Sequence, residues 1–505
     1  MVFSKYQFRH AAMHLAQSLA ILHLDPGSPT PLFRQLYDGI KQAILSGRAG
    51  PGMQLPPTRE LARALGISRQ TVLNAYDQLM AEGYLAGTVG RGTFVSASLP
   101  RRAPAAEPPA SPARLLRPLS ARGAGFTGPE AYLNIHEGKA RAFRIGMPGL
   151  DMFPFEVWSR LEARRWRRAA ADLGYGEAAG YPPLREALAV YLRAARGVQC
   201  QPEQVIITSG SQQALYLVAS MLLAPGDQAW VEEPGYRGIN ASLRATGAQP
   251  CPVPVDAEGL CVHAGAARWP NARLAYVTPT HQLPLGVTMT LQRRLALLAW
   301  AEQNRMWVVE DDYDSEYRYT GPPLASLQSL DRAGSVLYVG SMSKVLFPGL
   351  RIGYLVVPEG LAEAFAQGKA ILDRHTALVP QAVLTDFITE GHFGRHIKRS
   401  RDAYGERRET LLAALARHLP DALAIGAADT GLHLPVTFRS RRDDEALVAA
   451  AARRGLELRA LSHFYQDLPA DGQARLSGLL LGFAAIPPDQ LRRGVLALRD
   501  LLRNG

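Results

Sequence analysis

Cysteine is scarce in this sequence. Only three occur among the 505 residues, Cys200, Cys251 and Cys261, and no two of them form a CxxC motif. Their number and spacing disfavour a disulfide framework or a thiolate metal site, so no metal is predicted. We expect free thiols in a reducing cytoplasm, and a redox or metal role is the less favoured alternative.

A long uncharged apolar run is also missing. No stretch approaches the roughly 18–20 apolar residues that a transmembrane helix needs. The first 24 residues lack the compact apolar centre and the small-residue cleavage site of a secretory signal. These absences argue against membrane and secreted proteins, and we expect a cytoplasmic protein with no membrane partner.

Acidic residues are few near the N-terminus. Residues 1–128 carry 14 Lys and Arg against 6 Asp and Glu, whereas the remaining 377 residues carry 42 against 39. Excess positive charge at one end indicates that a polyanion binds there, with a merely solvated surface as the alternative. The length and the 47% hydrophobic content predict two or three domains with a sizeable core.

Residues 31–81 carry the pattern of short helices joined by turns. Apolar residues recur at helical spacing over 32–44, and Thr58 and Ser68 are each placed to cap a following helix. Two short helices joined at Gly66 are typical of a helix-turn-helix, whose second helix enters the major groove of DNA. An ordinary pair of packed helices is the alternative for this segment alone.

The second of these helices opens with Arg69, Gln70 and Thr71, whose side chains suit base edges or phosphates. A glycine-tipped hairpin with Gly90 and Arg91 follows, and it suits a wing that lies along the minor groove or the backbone. The segments LPPTRELA (55–62), GISRQTV (66–72) and GRGTFV (90–95) together resemble the winged helix-turn-helix of the GntR family. The resemblance covers nearly all of residues 30–96. It implies DNA contacts by Arg59, Ser68, Arg69, Gln70, Thr71, Gly90 and Arg91.

Proline and arginine dominate the next segment. Residues 97–128 contain six prolines and five arginines with little apolar periodicity, which predicts a semi-extended linker. Additional phosphate contacts by its arginines are the alternative to a simple solvated linker. The predicted organisation is an extension over 1–29, a DNA-binding domain over 30–96, a linker over 97–140 and a large domain over 141–505.

Strand and helix signals alternate beyond residue 150. Strand candidates lie at 204–208, 228–232, 274–278, 306–310 and 336–340, with helical stretches such as 212–223 and 291–304 between them. This alternation predicts an α/β domain with a mostly parallel sheet. Ligands bind such sheets at the carboxyl ends of the strands.

Reactive side chains follow several of these strands. Lys344 comes after one, Asp311 and Tyr313 come after another, and the turn TSGSQQ (208–213) leads into a helix N-terminus that suits a phosphate. Pyridoxal 5′-phosphate (PLP) requires an amine for an imine, a carboxylate for the ring nitrogen, and hydroxyls and an arginine such as Arg351 for the phosphate. Taken singly, the acidic run is equally a surface loop, and the turn is an ordinary one.

The segments EDDYDSE (310–316), SMSK (341–344) and GLRIGY (349–354) resemble a fold type I aminotransferase, over roughly 140–505. Joined to the GntR-type head, this pattern is similar to the MocR/GabR regulators. The resemblance implies a Schiff base between Lys344 and PLP, and a head-to-tail homodimer. It further implies cofactor contacts by Asp311, Tyr313, Ser341, Ser343, Arg351, Ser211, Gln212, Tyr236, His281 and, from the partner subunit, Tyr175.

One segment departs from the family's pattern. In LRALSHFY (458–465), His463 stands where the family often has an arginine for the ligand carboxylate, with Arg459 four residues earlier. A neutral histidine is a weaker carboxylate partner than arginine. The effector is therefore something other than a typical amino acid, or binds through Arg459, or is PLP itself. A structural role for His463 is equally open.

These features predict a PLP-dependent transcriptional regulator that binds promoter DNA and senses PLP or a small amine or amino acid. A functional aminotransferase with an accessory DNA-binding module is the main alternative. A PLP-carrying protein whose head docks another protein is the third interpretation.

Overall fold

The computed structural model describes residues 24–88, 91–97, 118–124, 126–127, 138–167, 174–321, 324–466 and 475–504. Gly90, most of the predicted N-terminal extension and most of the predicted linker lie outside these residues. The chain divides into two compact units, Met1–Arg117 and Pro118–Gly505. No helix in the described part of the chain is long and apolar enough to cross a membrane.

The first unit combines three described helices with a two-stranded hairpin. The elements are α1 (Leu32–Leu45), α2 (Thr58–Leu65), α3 (Arg69–Ala81), β1 (Leu85–Thr88) and β2 (Gly92–Val95). β1 and β2 pair antiparallel, as a wing requires. Leu36 and Ile40 of α1, Leu61 of α2, and Val72 and Leu79 of α3 are buried against one another. Each buried aliphatic side chain stabilises such a core by about 1.5–3 kcal/mol.

The turn between α2 and α3 follows the expected chemistry in most respects. Gly66 adopts a φ of 65°, a left-handed conformation that glycine tolerates without strain. Ser68 caps α3, since its Oγ accepts a hydrogen bond from the backbone N–H of Thr71 at 3.1 Å. The predicted cap by Thr58 is wrong: Thr58 is already helical, and Pro57 precedes it as the N-cap. Proline can occupy the N-cap because the helix forms no hydrogen bond with the backbone N–H of that residue, which proline lacks.

The second unit contains a large mixed sheet. Its strands are β3 (Val205–Thr208), β4 (Gln228–Glu233), β5 (Gln249–Asp256), β6 (Gly259–Leu260), β7 (Leu274–Val277), β8 (Trp307–Asp312), β9 (Val336–Ser341) and β10 (Gly353–Val356). The strand order is β3-β10-β9-β8-β7-β4-β5-β6. β9, β8, β7, β4 and β5 are parallel, while β10 runs antiparallel to both of its neighbours. The sheet is therefore mostly parallel, as the alternating pattern predicts.

Helices flank this sheet, and several of them cover its two faces. They are α4 (Ala121–Ala124), α5 (Phe155–Trp166), α6 (Pro182–Arg196), α7 (Ser211–Leu222), α8 (Arg237–Thr246), α9 (Val262–Arg268), α10 (Leu291–Asn304), α11 (Ala362–Asp373), α12 (Leu378–Thr389) and α13 (His392–His418). Ile207 of β3 packs with Leu188 of α6 on one face, and Ile206 packs with Leu215 of α7 on the other. Because both faces are buried, the strands read as continuous apolar runs.

A smaller antiparallel sheet follows. Its strands are β11 (Leu423–Ile425), β12 (His433–Phe438), β13 (Arg459–Ala460) and β14 (Gly478–Gly482), in the order β11-β12-β14-β13, and α14 (Asp444–Arg453) and α15 (Pro488–Asn504) accompany it. Phe143 forms a β-bridge with Gly482 and is fully buried in the core of this sheet. The bridge anchors the segment that continues to Gly146, which contacts the site described next.

Candidate functional site

The carboxyl ends of β8 and β9 open into a cavity of about 640 Å³. Nine of the predicted cofactor residues lie in its wall: Ser211, Gln212, Tyr236, Asp311, Tyr313, Ser341, Ser343, Lys344 and Arg351. They come from β8, β9, α7 and the connections that follow the strands. This position is the one expected for a ligand of a parallel sheet.

Lys344 extends into the cavity from the turn after β9. Its Nζ donates a hydrogen bond to the carbonyl oxygen of Gly146 at 2.7 Å. Burial lowers the pKa of the Lys344 ammonium, while the carboxylates of Asp314 and Asp311 act in the opposite direction. A lowered pKa leaves more of the lysine as a neutral amine, which is the nucleophilic form. A Cβ on residue 146 would lie 2.8 Å from this Nζ, so the close approach depends on Gly146.

Asp311 presents a carboxylate with one oxygen held and one unpartnered. The Tyr276 hydroxyl donates to Oδ2 at 2.7 Å, whereas Oδ1 is buried and has no hydrogen-bond partner among the described residues. Burial raises the pKa of Asp311 to about 7, with the Tyr276 hydrogen bond opposing the shift. An unpartnered buried carboxylate oxygen is costly unless a ligand donor reaches it. A protonated pyridine nitrogen is a donor of this kind.

The N-terminus of α7 forms the opposite end of the cavity. Gly210, with a φ of 95°, precedes it and allows the Arg351 guanidinium to approach, because a Cβ there would lie 2.9 Å from Nη2. The same Nη2 donates to the Ser209 carbonyl oxygen at 2.7 Å. Free backbone N–H groups, the helix dipole and a guanidinium make this end suited to a phosphate.

Ser341, the last residue of β9, and Ser343, in the turn that follows, lie in the same cavity wall. Ser341 Oγ accepts a hydrogen bond from the backbone N–H of Ser343 at 3.2 Å. The hydroxyl of Ser343 is buried without a hydrogen-bond partner. It thus resembles Asp311 Oδ1 in lacking the polar contact that a bound ligand would supply.

The side chain of Gln212 makes contacts between two helices. Its side-chain amide donates to the Gly238 carbonyl at 2.8 Å and to Ser242 Oγ at 2.9 Å, while its Oε1 accepts from the Tyr236 hydroxyl at 3.1 Å. The side chain therefore ties α7 to α8 and holds Tyr236 in place. Because the side chain is engaged in this way, the group of Gln212 that suits a ligand is its backbone N–H in the first turn of α7.

His281 lies behind Tyr313 and outside the lining of the cavity. Its Nδ1 is 3.0 Å from Asp314 Oδ1 and 3.1 Å from the Tyr313 hydroxyl oxygen. The imidazole also stacks on His433, with the ring centroids 4.9 Å apart. The buried carboxylate favours the tautomer with the proton on Nδ1, as in other carboxylate–histidine pairs. His281 accordingly supports Tyr313 from behind.

The predicted effector residues lie elsewhere. Neither Arg459 on β13 nor His463 is among the described residues that line the cavity. Burial lowers the pKa of His463, and the nearby guanidinium groups of Arg237 and Arg459 lower it further, which favours the neutral imidazole. Tyr175 is also absent from the described lining of the cavity: it is 84% exposed, and the Arg374 guanidinium lies 4.6 Å from the centre of its ring.

Several residues of the cavity wall were not predicted from the sequence, among them four with ionisable side chains. Tyr276 lies on β7 one residue before its end, and Asp314 follows β8, so the rule that ligands meet strand ends could have found both. His433 comes from the smaller sheet, and burial lowers its pKa well below the usual value. Arg144 is buried and pairs with Glu457, its Nη2 lying 2.6 Å from Oε1. No local pattern marks these last two.

The predicted DNA contacts lie in the first unit. Arg59, Ser68, Arg69, Gln70 and Arg91 are exposed, and Thr71 is half-buried in the first turn of α3. Several of them therefore present polar groups to solvent at the start of α2 and of α3. A helix-turn-helix contacts DNA with this end of its second helix.

Comparison with known proteins identifies both units. Residues 150–477 match the family described as aminotransferase class I and II, and residues 32–95 match bacterial regulatory proteins of the gntR family. The chain is similar to the probable rhizopine catabolism regulatory protein MocR of Rhizobium meliloti, with 42% identity over 482 residues and 95% of each chain covered. It is 32% identical to the pyridoxine biosynthesis transcriptional regulator PdxR of Corynebacterium glutamicum, over 95% of this chain and 98% of that protein.

Among solved structures, the kynurenine aminotransferase of Pyrococcus horikoshii, crystallised with PMP, is 29% identical. It matches 73% of this chain and 91% of its own with a TM-score of 0.66. These matches confirm the predicted fold class, the predicted PLP cofactor and the prediction of a DNA-binding transcriptional regulator. The chain belongs to the MocR-type transcriptional regulators, in which a GntR-family helix-turn-helix is joined to an aminotransferase class I and II domain.

Proposed function

We propose that this regulator holds PLP covalently at Lys344 and changes its affinity for promoter DNA when an amine effector or PLP itself binds. The observation that carries the proposal is the set of incomplete contacts around one cavity. The lowered pKa of Lys344, the unpartnered Asp311 Oδ1 and the unpartnered Ser343 hydroxyl match the aldehyde, ring nitrogen and phosphate of one PLP molecule. The donor set therefore fits the cofactor.

Each residue has a separate task in this proposal. Lys344 supplies the amine, and Asp311 holds a proton at the ring nitrogen. Tyr313, which His281 contacts from behind, donates a hydrogen bond to the phenolic oxygen of PLP. Tyr236 lies in the same cavity wall. The phosphate contacts come from Ser211, the Gln212 backbone, Ser341, Ser343 and Arg351. When bound, PLP supplies an electrophilic carbon that joins amines and a ring that accepts electrons.

The DNA contacts of the proposal are Arg59, Ser68, Arg69, Gln70, Thr71, Gly90 and Arg91. Arg69 and Gln70 stand at the start of α3, where side chains of a recognition helix meet base edges. We assign the protein to the cytoplasm, where such DNA lies, and we propose a head-to-tail homodimer in which Tyr175 reaches the partner's phosphate site. Arg459 and His463 remain the proposed effector contacts, and His463 is equally suited to a structural role.

Spectroscopy and DNA binding test this function together. The PLP-treated protein should show a visible absorbance band, and Lys344→Ala should lose it. Lys344→Arg is the matched control, because it keeps the positive charge of the side chain but removes the amine of lysine. The affinity of the PLP-treated protein for promoter duplex, measured by fluorescence anisotropy, should change when candidate amines shift this band. The expected change is on the order of 5–150-fold, the usual range of allosteric coupling.

A full absorbance band in Lys344→Ala would contradict the role of Lys344. The intact cofactor site also favours a second candidate function, a working aminotransferase. Sustained turnover of an amino acid with a 2-oxo acid at roughly 1–1000 per second would support that alternative.

A further inference from the structure

The phosphate end of the cavity is supported by a chain of hydrogen bonds that leads away from the ligand. Gln213, on the first turn of α7, accepts the backbone N–H of Ser209 with its Oε1 at 2.7 Å. Its Nε2 donates to Asp373 Oδ2 at 2.8 Å. Ser209 in turn accepts the Arg351 guanidinium through its carbonyl oxygen. Gln213 thus joins the phosphate loop to the end of α11.

The far end of this chain is a buried charge. Lys369, one turn before the end of α11, has no exposed surface, and its Nζ is 2.7 Å from Asp373 Oδ1. A buried ammonium is costly unless a carboxylate is held beside it. Asp373 therefore stays where Lys369 requires it, with one oxygen for the lysine and the other for Gln213.

The backbone directly after α11 is strained at Arg374, the residue that follows Asp373. The N–H of His375 donates to the Asp373 carbonyl at 2.7 Å, which closes a three-residue turn around Arg374. Arg374 has a φ of 64° and a ψ of −59°, a combination that costs a non-glycine residue roughly 1–3 kcal/mol. Strain of this kind persists only where surrounding contacts enforce it, and the bonds of Asp373 to Lys369 and Gln213 are contacts next to this turn.

We propose that Lys369, Asp373 and Gln213 are positioning residues for the phosphate of the cofactor. They act through Ser209 and Arg351, without contacting the ligand. This inference rests on the proposed function, because it assumes that a phosphate occupies the N-terminus of α7. The proposal has a specific consequence. Loss of these hydrogen bonds should weaken the binding of the phosphate group and leave the contacts to the ring and the aldehyde unchanged.

Gln213 is the central residue of this series of hydrogen bonds because it accepts one bond and donates the next. The glutamine amide must offer its oxygen to the Ser209 N–H and its nitrogen to the Asp373 carboxylate. Gln213→Leu removes both bonds and leaves an apolar side chain that is one atom shorter. Asp373→Asn keeps an oxygen for Lys369 but turns an N–H₂ donor toward the Gln213 donor, so at least one bond is lost whichever way the amides flip.

The test compares two ligands that differ only in the phosphate, PLP and pyridoxal. The dissociation constants of the full-length protein are measured from the visible absorbance band. Gln213→Leu should weaken PLP binding on the order of tenfold and leave pyridoxal binding within about twofold of the unchanged protein. Asp373→Asn should act in the same direction. Gln367→Leu is the matched control and should change neither constant, since Gln367 is exposed and its amide donates to Glu363 of the same helix.

Equal losses for the two ligands, or no loss for either, would overturn the proposal. A second comparison removes the dependence on Lys344. In Lys344→Ala, pyridoxine 5′-phosphate and pyridoxine are titrated by protein fluorescence, and Gln213→Leu in this background should again weaken only the phosphorylated ligand. An absorbance band that survives in Lys344→Ala counts against the proposed function, whereas retained phosphate selectivity in the Gln213→Leu variant counts against the chain of positioning residues.

Discussion

At the scale of single residues, the site consists of groups that are individually unfavourable in the absence of a ligand. Asp311 is a buried carboxyl group with one unsatisfied oxygen, and Ser343 is a buried hydroxyl without a partner. Lys344 carries an ammonium that burial destabilises. A folded protein tolerates such groups where function requires them, at some cost in stability. That cost leads to a measurable prediction for Asp311.

Asp311→Asn should stabilise the cofactor-free protein at alkaline pH. Burial raises the pKa of Asp311 to about 7 from an ordinary value of 3.8. Between pH 3.8 and about pH 7, Asp311 is deprotonated in the unfolded state and protonated in the folded state. The free energy of unfolding therefore falls as the pH rises through this range. Asparagine does not titrate, and the variant should gain on the order of 1–4 kcal/mol relative to the wild type by pH 8.

The measurement is the difference in free energy of unfolding between the two proteins, followed from pH 5 to pH 8. The gain should increase across that range and level off above about pH 7, because the folded-state proton is then lost. With PLP present the order should reverse, since the variant lacks the carboxylate that pairs with the ring nitrogen. A difference that is constant with pH would contradict the assignment of a raised pKa to Asp311.

At the scale of elements, helix N-termini carry much of the proposed chemistry. α3 begins where DNA contacts are proposed, and α7 begins where the phosphate is proposed. In both helices the first N–H groups have no partner inside the helix. The two ends are stabilised differently: the Ser68 side chain caps α3, whereas α7 follows Gly210 with no side-chain cap. The uncapped N-terminus of α7 leaves its N–H groups available for a ligand. The capped N-terminus of α3 is suited to present a surface that is ordered before DNA binds.

Ser68→Ala should loosen the start of α3. Loss of the hydrogen bond between its Oγ and the Thr71 N–H removes an N-cap worth about 1 kcal/mol. Amide hydrogen exchange in the first turn of α3 should therefore accelerate roughly fivefold. Ser68→Thr is the matched control, since threonine retains the capping oxygen. Equal exchange rates in the two variants would show that the cap does not stabilise this helix.

At the scale of the whole molecule, the proposed dimer has a specific structural requirement. Tyr175 is 84% exposed, and the Arg374 guanidinium stacks on its ring while the His375 ring meets it edge-on. A large aromatic side chain held in one orientation on the surface is typical of a contact with a partner. In the proposed dimer Tyr175 reaches the phosphate site of the other subunit, and a mixing experiment can separate that role from one within the subunit.

Tyr175→Ala and Lys344→Ala should each impair PLP binding, and mixing the two variants should restore part of it. In a mixed dimer, one site combines an intact Lys344 with an intact Tyr175 from the other subunit. Recovery of the visible band after subunits are exchanged, at roughly wild-type PLP concentrations, is the expected result. Each variant exchanged with itself is the control. No recovery would indicate that Tyr175 acts within its own subunit.

Local patterns in the sequence predicted much of the fold and nine residues of the cavity wall. Strands at 204–208, 306–310 and 336–340 correspond to β3, β8 and β9, because buried parallel strands read as short apolar runs. Reactive groups after such strands could be assigned to one edge of the sheet, and Asp311 and Lys344 do meet there. The N-cap at Thr58 was misplaced by one residue, since the proline before it can fill the same position.

Contacts between distant segments could not be predicted in this way. The side chain of Gln212 contacts α8, His433 enters the cavity from a separate sheet, and Gln213 meets Asp373 across 160 positions. The proposed effector residues Arg459 and His463 stand outside the cavity wall although their sequence position suggested otherwise. None of these placements follows from periodicity, because each depends on how packed elements meet.

The sequence by itself determined the two kinds of unit, the DNA-binding pattern, the order of strands and helices along the chain, and the chemical groups needed to hold PLP. These follow from local rules of periodicity, capping and strand-end placement. Only the tertiary structure decided which oxygen of Asp311 lacks a partner, which way Gln212 turns and what supports the phosphate loop. Such features depend on side-chain packing between segments far apart in the chain, where volume and hydrogen-bond satisfaction select one arrangement.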